Sequence, residues 1–142
     1  MNAIEIINKI KEVAKRNAEK ISNQKTRNVT KDIKCFRQGD LYIFRVSDNW
    51  EVGEEVKRDK ISDGVSLGST HILMGDFKVY RGVKAPDFIS DLHKKVCIGY
   101  AFDAKDNTVL THQEHDNFLF VDGGRFQVCH QVDLRTLNRV AD

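Results

Sequence analysis

The sequence predicts a mainly β domain, or an α+β one: a small barrel or sandwich of about six to eight short antiparallel strands, with one helix appended at the N-terminus. Three observations predict it. The long stretch of helical periodicity lies in the first 21 residues. From Ile33 onward the chain breaks into short runs rich in β-branched and aromatic residues. Turn-forming Gly, Asp and Asn recur between those runs.

The helix comes first. Ile4, Ile7, Ile10, Val13, Ala14, Ala18 and Ile21 recur at three- and four-residue steps, which places them on one face of a helix over 3–21. Asn2 followed by Glu5 matches a capping box. Ser22 to Thr30 is polar and unpatterned and reads as a linker. Residues 1–30 are thus an amphipathic helix with a basic linker, and residues 31–142 the β-rich domain.

The strands follow. Gly39-Asp40 marks a turn before Leu41–Val46, a run apolar on both faces. His71–Met74 and Phe77–Tyr80 flank Gly75-Asp76 and read as a hairpin. Val96–Phe102 with Thr108–Thr111, and Asn117–Val121 with Arg125–Cys129, read as two more. Pro86–Lys94 is the one helical interruption, with Pro86 suited to a first turn.

Composition bounds the class. Charged residues make up 31% and hydrophobic ones 40% of the 142, an ordinary globular balance for one domain. No apolar run approaches the ~20 residues of a membrane helix, and no secretory signal is evident at the N-terminus. Cys35, Cys97 and Cys129 are odd in number and lack metal or redox spacing. They read as buried reduced thiols of a cytoplasmic protein. Residues 1–34 carry an excess of five positive charges over a mildly acidic remainder. That arm has no aromatic residue for base stacking and its acids alternate with its bases, which argues against nucleic acid. The Ile stripe must bury against something, so a homo-oligomer through the helix is one expectation.

The chemistry concentrates in Thr111-His112-Gln113-Glu114-His115-Asp116. Imidazole is the commonest transition-metal ligand at neutral pH, and a nearby carboxylate completes a site or moves protons. On a regular strand His112 and Glu114 share a side while His115 points away, so convergence needs a bend or a bulge. His71 and His130, at other strand ends, are placed to approach the same mouth. Trp50, in an acidic loop, reads as a lid on the core rather than a ligand clamp. Arg37-Gln38-Gly39-Asp40 reads as turn chemistry, since a phosphate loop would need a following helix.

Residues 36–142 resemble a family of small bacterial and phage-encoded hypothetical proteins. The resemblance rests on Arg37-Gln38-Gly39-Asp40-Leu41, on Gly68-Ser69-Thr70-His71 in place of a GHxH turn, and on Leu110-Thr111-His112-Gln113-Glu114-His115. It continues through Gly124–Val128 to Gln131, Asp133 and Arg139-Val140-Ala141-Asp142. Two positions depart from the pattern: Ser69 replaces its first histidine, and Leu134 the aromatic residue after the acid. The resemblance implies a site and no particular reaction.

The leading expectation is a module that binds or sequesters a small polar ligand, anionic ligands included. His71, His112, His115, Arg45 and Arg125 would form the site. The alternative is a cupin-like metal-dependent enzyme, with a divalent ion on His71, His112, His115 and Glu114, and Glu114 also the candidate catalytic base. A third is an interaction or inhibitor module that uses the basic helix.

Overall fold

The computed structural model describes residues 2–16, 25–62, 70–87 and 97–131, with the side chains of the helix described as far as Lys9. Among them lie one helix, α1 (Ala3–Arg16), and eleven strands. These are β1 (Thr26–Asn28), β2 (Cys35–Gln38), β3 (Leu41–Val46), β4 (Val52–Val56), β5 (Lys60–Ser62) and β6 (His71–Met74). The rest are β7 (Phe77–Gly82), β8 (Ile98–Ala104), β9 (Val109–Thr111), β10 (Asn117–Leu119) and β11 (Gly124–His130). One sheet has the order β1-β10-β9-β6-β5, the other β2-β3-β11-β8-β7-β4. Every pairing is antiparallel except β1 with β10. The architecture is a β-sandwich, not a closed barrel.

The core lies between the sheets. Phe102, Phe120 and Phe126 are fully buried with ring centroids 4.8–5.5 Å apart, walled by Leu41, Ile43, Leu73, Leu110 and Val128. Burying each such ring contributes about 1.5–3 kcal/mol. A second cluster, on Phe44, Ala85, Cys97 and Cys129, gathers beside β3 and β11. All three cysteines are free; Cys35 is exposed and the other two buried. Burial pushes the Cys97 and Cys129 thiols up, which keeps both protonated and unreactive at neutral pH.

The expected hairpins are corrected. Each of the three strand pairs is adjacent in sequence, yet its members lie in different sheets: β6 and β7, β8 and β9, β10 and β11. Their connections are crossings from one sheet to the other. Gly75 sits at φ 97°, and a Cβ there would stand 2.4 Å from the Asn107 carbonyl oxygen and 2.9 Å from Ile6 Cδ1. Only glycine lets these two crossings touch. They are then laced together. Thr108 Oγ1 donates to the Asp76 carbonyl at 2.5 Å and accepts the Lys105 N–H at 2.8 Å, while Asn107 Nδ2 donates to Asp76 Oδ2 at 2.8 Å. In the third crossing Gly123 N–H donates to the Phe120 carbonyl at 2.9 Å.

The capping box forms, with Glu5 N–H on Asn2 Oδ1 at 2.8 Å and Asn2 N–H on Glu5 Oε2 at 3.1 Å. Ile6 is buried against Gly75, and Ile4 and Ile7 are exposed. The stretch read as a linker is described from Lys25, and there it enters the sandwich: β1 runs parallel to β10 and Val29 joins the core. Gly68, Ser69, the expected helix beyond Asp87, Val96 and the C-terminal motif residues from Val132 onward lie outside the described residues.

Trp50 packs as expected of a lid. It is half-buried, its Nε1 donates to Gln127 Oε1 at 3.2 Å, and Lys84 Nζ sits 4.3 Å from its ring. Gln127 in turn serves a bulge. The β8–β11 register shifts between Gln127 and Cys129, and Gln127 Nε2 donates to the Gly99 and Val128 carbonyls at 2.9 and 3.0 Å. A fully buried amide thus satisfies carbonyls that the ladder misses.

Candidate ligand site

The histidine segment is the loop of a true hairpin. β9 and β10 pair antiparallel, Leu110 against Phe118 and Val109 against Leu119, and residues 112–116 join them. The loop folds around His112. Its ring turns inward, 5% exposed, and its Nδ1 accepts the N–H groups of Glu114 at 3.0 Å and His115 at 3.4 Å. An Nδ1 that accepts carries no proton, so this ring is held as the Nε2–H tautomer. The same wrapping brings His115 back over His112. This is the bend that convergence required.

Three imidazoles form a row. The His71 and His112 centroids lie 4.5 Å apart, and those of His112 and His115 also 4.5 Å apart. His71, at the start of β6, is the buried end; His115, half-buried, is the outer end. The buried end rests on the β2–β3 turn. Gln38 Nε2 donates to the Asp116 carbonyl at 2.8 Å and faces that of Leu110 at 3.4 Å, which leaves Oε1 to accept from His71 Nδ1 at 2.8 Å. Asp40 Oδ1 lies 3.1 Å from His71 Nε2. His71 Nδ1 donates to the Gln38 amide oxygen, and Nε2 faces the Asp40 carboxyl. Gln38 and Asp40 are both buried, so this network costs desolvation that its hydrogen bonds offset.

Asp116 closes the loop on the outside. Its carboxylate accepts from Arg27 Nε at 2.7 Å and from the Lys25 N–H at 3.1 Å. Those contacts draw β1 onto the sheet edge and hold the Asp116 carboxyl below the usual carboxylate range, the Arg27 bond first among the causes.

Beside the row opens a cleft of about 450 Å³, lined by Phe36, Arg37 and Gly39 of the β2–β3 hairpin, by Glu114, His115 and Asp116 of the loop, and by Arg27. Phe36 is stacked on Phe118 at 4.4 Å and half-buried. Arg37 Nε donates to the Gly39 carbonyl at 2.6 Å, and its terminal nitrogens have no partner among the described residues. The Glu114 carboxylate is exposed and makes no hydrogen bond or ion pair among them.

The expected site residues therefore divide. His71, His112, His115 and Glu114 come together. Arg45 and Arg125 do not join them. Arg45 lies over Phe126 and donates to the carbonyls of Thr30, Ile33 and Gly123, stitching loops by the third crossing. Arg125 grips Asp103 with two bonds of 2.7 and 3.0 Å and donates to the Trp50 carbonyl. Their positive charge is spent on structure. His130 lies beside Gly99 of β8, where a glycine Cβ would stand 3.1 Å from its Nε2.

The row gathers rings rather than lone pairs. Both His71 nitrogens face Gln38 and Asp40, and His112 Nδ1 faces the loop's own N–H groups. Among the described residues no three His, Cys, Asp or Glu side chains are arranged to hold a metal ion. Sequence reasoning missed Gln38, Asp40, Arg37 and Arg27. The available signal was a polar Gln-Gly-Asp opening an apolar strand, where buried polar groups need partners.

No protein-family model matches the chain, and no curated protein or solved structure is similar to it.

Proposed function

We propose that this protein binds a small polar ligand in the cleft between the β2–β3 turn and the β9–β10 loop. In this reading it holds or senses the ligand and carries out no chemistry on it. One observation carries the proposal: an open cleft with His115 in its wall, the outer member of a row of tilted imidazoles that leads back to the buried Gln38–His71–Asp40 network. Such a wall is rigid before the ligand arrives, and preorganisation lowers the ordering cost of binding. The cleft volume falls within the few hundred to about 1,000 Å³ typical of small-molecule sites. The motif resemblance supports the same place, because Gln38-Gly39-Asp40 and Thr111–His115, distant in sequence, are the residues that meet.

The test is a set of small polar probes, namely inorganic phosphate, succinate, a nucleoside monophosphate and free amino acids, followed by the His115 ring resonances and by melting temperature. At least one class should move the His115 signals saturably and stabilise the fold, by about 2.7 kcal/mol at a hundredfold excess over Kd. His115→Ala should abolish both effects. Shifts that map only to Arg45 or Arg125, or to no residue, overturn the reading.

A separate observation favours a second reading for α1. Ile4 is 70% and Ile7 50% exposed, and Ile7 lines an apolar groove of about 320 Å³ with Ile6, Val109 and Leu119. Self-association through this face would bury them. An unchanged monomer mass across a hundredfold concentration range excludes it.

A further inference from the structure

Among the described residues the cleft presents two charges of opposite sign without an ion-pair partner, and we infer that its ligand is a zwitterion: an α-amino acid with an apolar or aromatic side chain. This rests on the small-ligand reading above and narrows it. Four charged groups line the cleft. Two of them, Arg27 and Asp116, are paired with each other at 2.7 Å. The remaining two are Arg37 and Glu114, on opposite walls, one on the β2–β3 hairpin and one on the β9–β10 loop.

Each is poised for one end of such a ligand. The Arg37 Nε donates to the Gly39 carbonyl and the guanidinium carbon lies 5.9 Å from the Tyr42 ring centroid, which orients the guanidinium and leaves the terminal nitrogens, unbonded among the described residues, as a fork for a carboxylate. The Glu114 carboxylate is an acceptor only, so it complements an ammonium. A simple anion would gain from Arg37 and lose to Glu114. A simple cation would meet the reverse. A ligand carrying both charges satisfies both walls and leaves no uncompensated charge in the closed complex. In the same cleft Phe36 offers a half-buried ring and His115 the outer end of the imidazole row, surfaces that fit an apolar or aromatic side chain.

Three probes on the full-length chain separate the contributions by titration calorimetry: L-phenylalanine, N-acetyl-L-phenylalanine, which lacks the ammonium, and L-phenylalaninamide, which lacks the carboxylate. The free amino acid should bind about tenfold more tightly than either derivative, as expected for one charge-assisted hydrogen bond apiece. Glu114→Gln should erase the preference over the N-acetyl compound and keep the preference over the amide. Arg37→Gln should do the converse. Both positions are exposed, so the variants should keep the parent melting temperature. Equal affinity for all three probes, or a preference that neither variant changes, overturns the zwitterion and leaves the small-ligand reading standing. Failure of every probe in this set and in the wider one above overturns both.

Discussion

The two ends of the sandwich handle polar groups in opposite ways. At one end three crossings carry the chain between sheets, and their polar groups bond to one another. Thr108, Asn107 and Asp76 bond one another, and Arg45 collects three loop carbonyls. At the other end an equally polar set of Gln38, Asp40, His71 and His112 is bonded beneath the surface, yet Arg37 and Glu114 above it are left uncommitted. The first end is built to stay shut. The second is built as a fixed floor under reactive edges, and the difference separates structural polar groups from ligand-facing ones more sharply than residue type does.

Substitution can break the comparison. The largest effect should come from His71→Ala, which leaves the Asp40 carboxyl buried without its ring partner; about 3–5 kcal/mol should be lost in urea unfolding. At the closed end Gly75→Ala forces a Cβ into the Asn107 carbonyl at a left-handed φ and should cost about 1–3 kcal/mol. Thr108→Val removes a hydroxyl that both donates and accepts, and should cost about 1–3 kcal/mol by the same measurement.

A smaller effect should follow pH. Burial raises the Asp103 carboxyl, but the bonds from Arg125 and Tyr80 outweigh it and hold the group below its ordinary value. Its contribution is therefore complete above the ordinary aspartate range near 4 and is lost as pH falls through the lowered native value. Asp103→Asn should be less stable than the parent by about 1 kcal/mol at pH 7, and the two melting curves should converge in acid. The smallest effects should be Arg37→Gln and Glu114→Gln, within about 0.5 kcal/mol of the parent. A large loss at either would place it among the structural groups and erase the contrast between the two ends.

Much of the strand content was legible in the sequence, because alternation and β-branching act locally. Leu41–Val46 and His71–Met74 stand where the pattern puts them. The partners were not legible. Gly75-Asp76 carries hairpin residues, but a positive φ serves a sheet crossing equally well, and the Asn107 contact that decides the matter comes from 32 positions away. The short strands β1, β2, β4 and β5 were missed because their neighbours hold them in the sheet, not their composition; β1 depends on the Asp116 carboxylate. At the site, His112, Glu114 and His115 could be found because they are close in the chain. Gln38 and Asp40 could not be tied to His71, since nothing local says that the β2–β3 turn lies under β6.

The crossings also bear on how long the chain takes to fold. Because consecutive strands repeatedly part company, β3 must wait for β11 and β1 for β10, partners that emerge some eighty to ninety residues later. Closing loops of that length before any contact rewards them slows the search, and a topology of this kind reaches its native state on the order of milliseconds to seconds. The β9–β10 hairpin is an exception, with its two strands joined by residues 112–116. The loop that carries His112 and His115 therefore has a local turn available to it, as does the β2–β3 hairpin beneath it, and only their meeting with His71 waits on distant pairings.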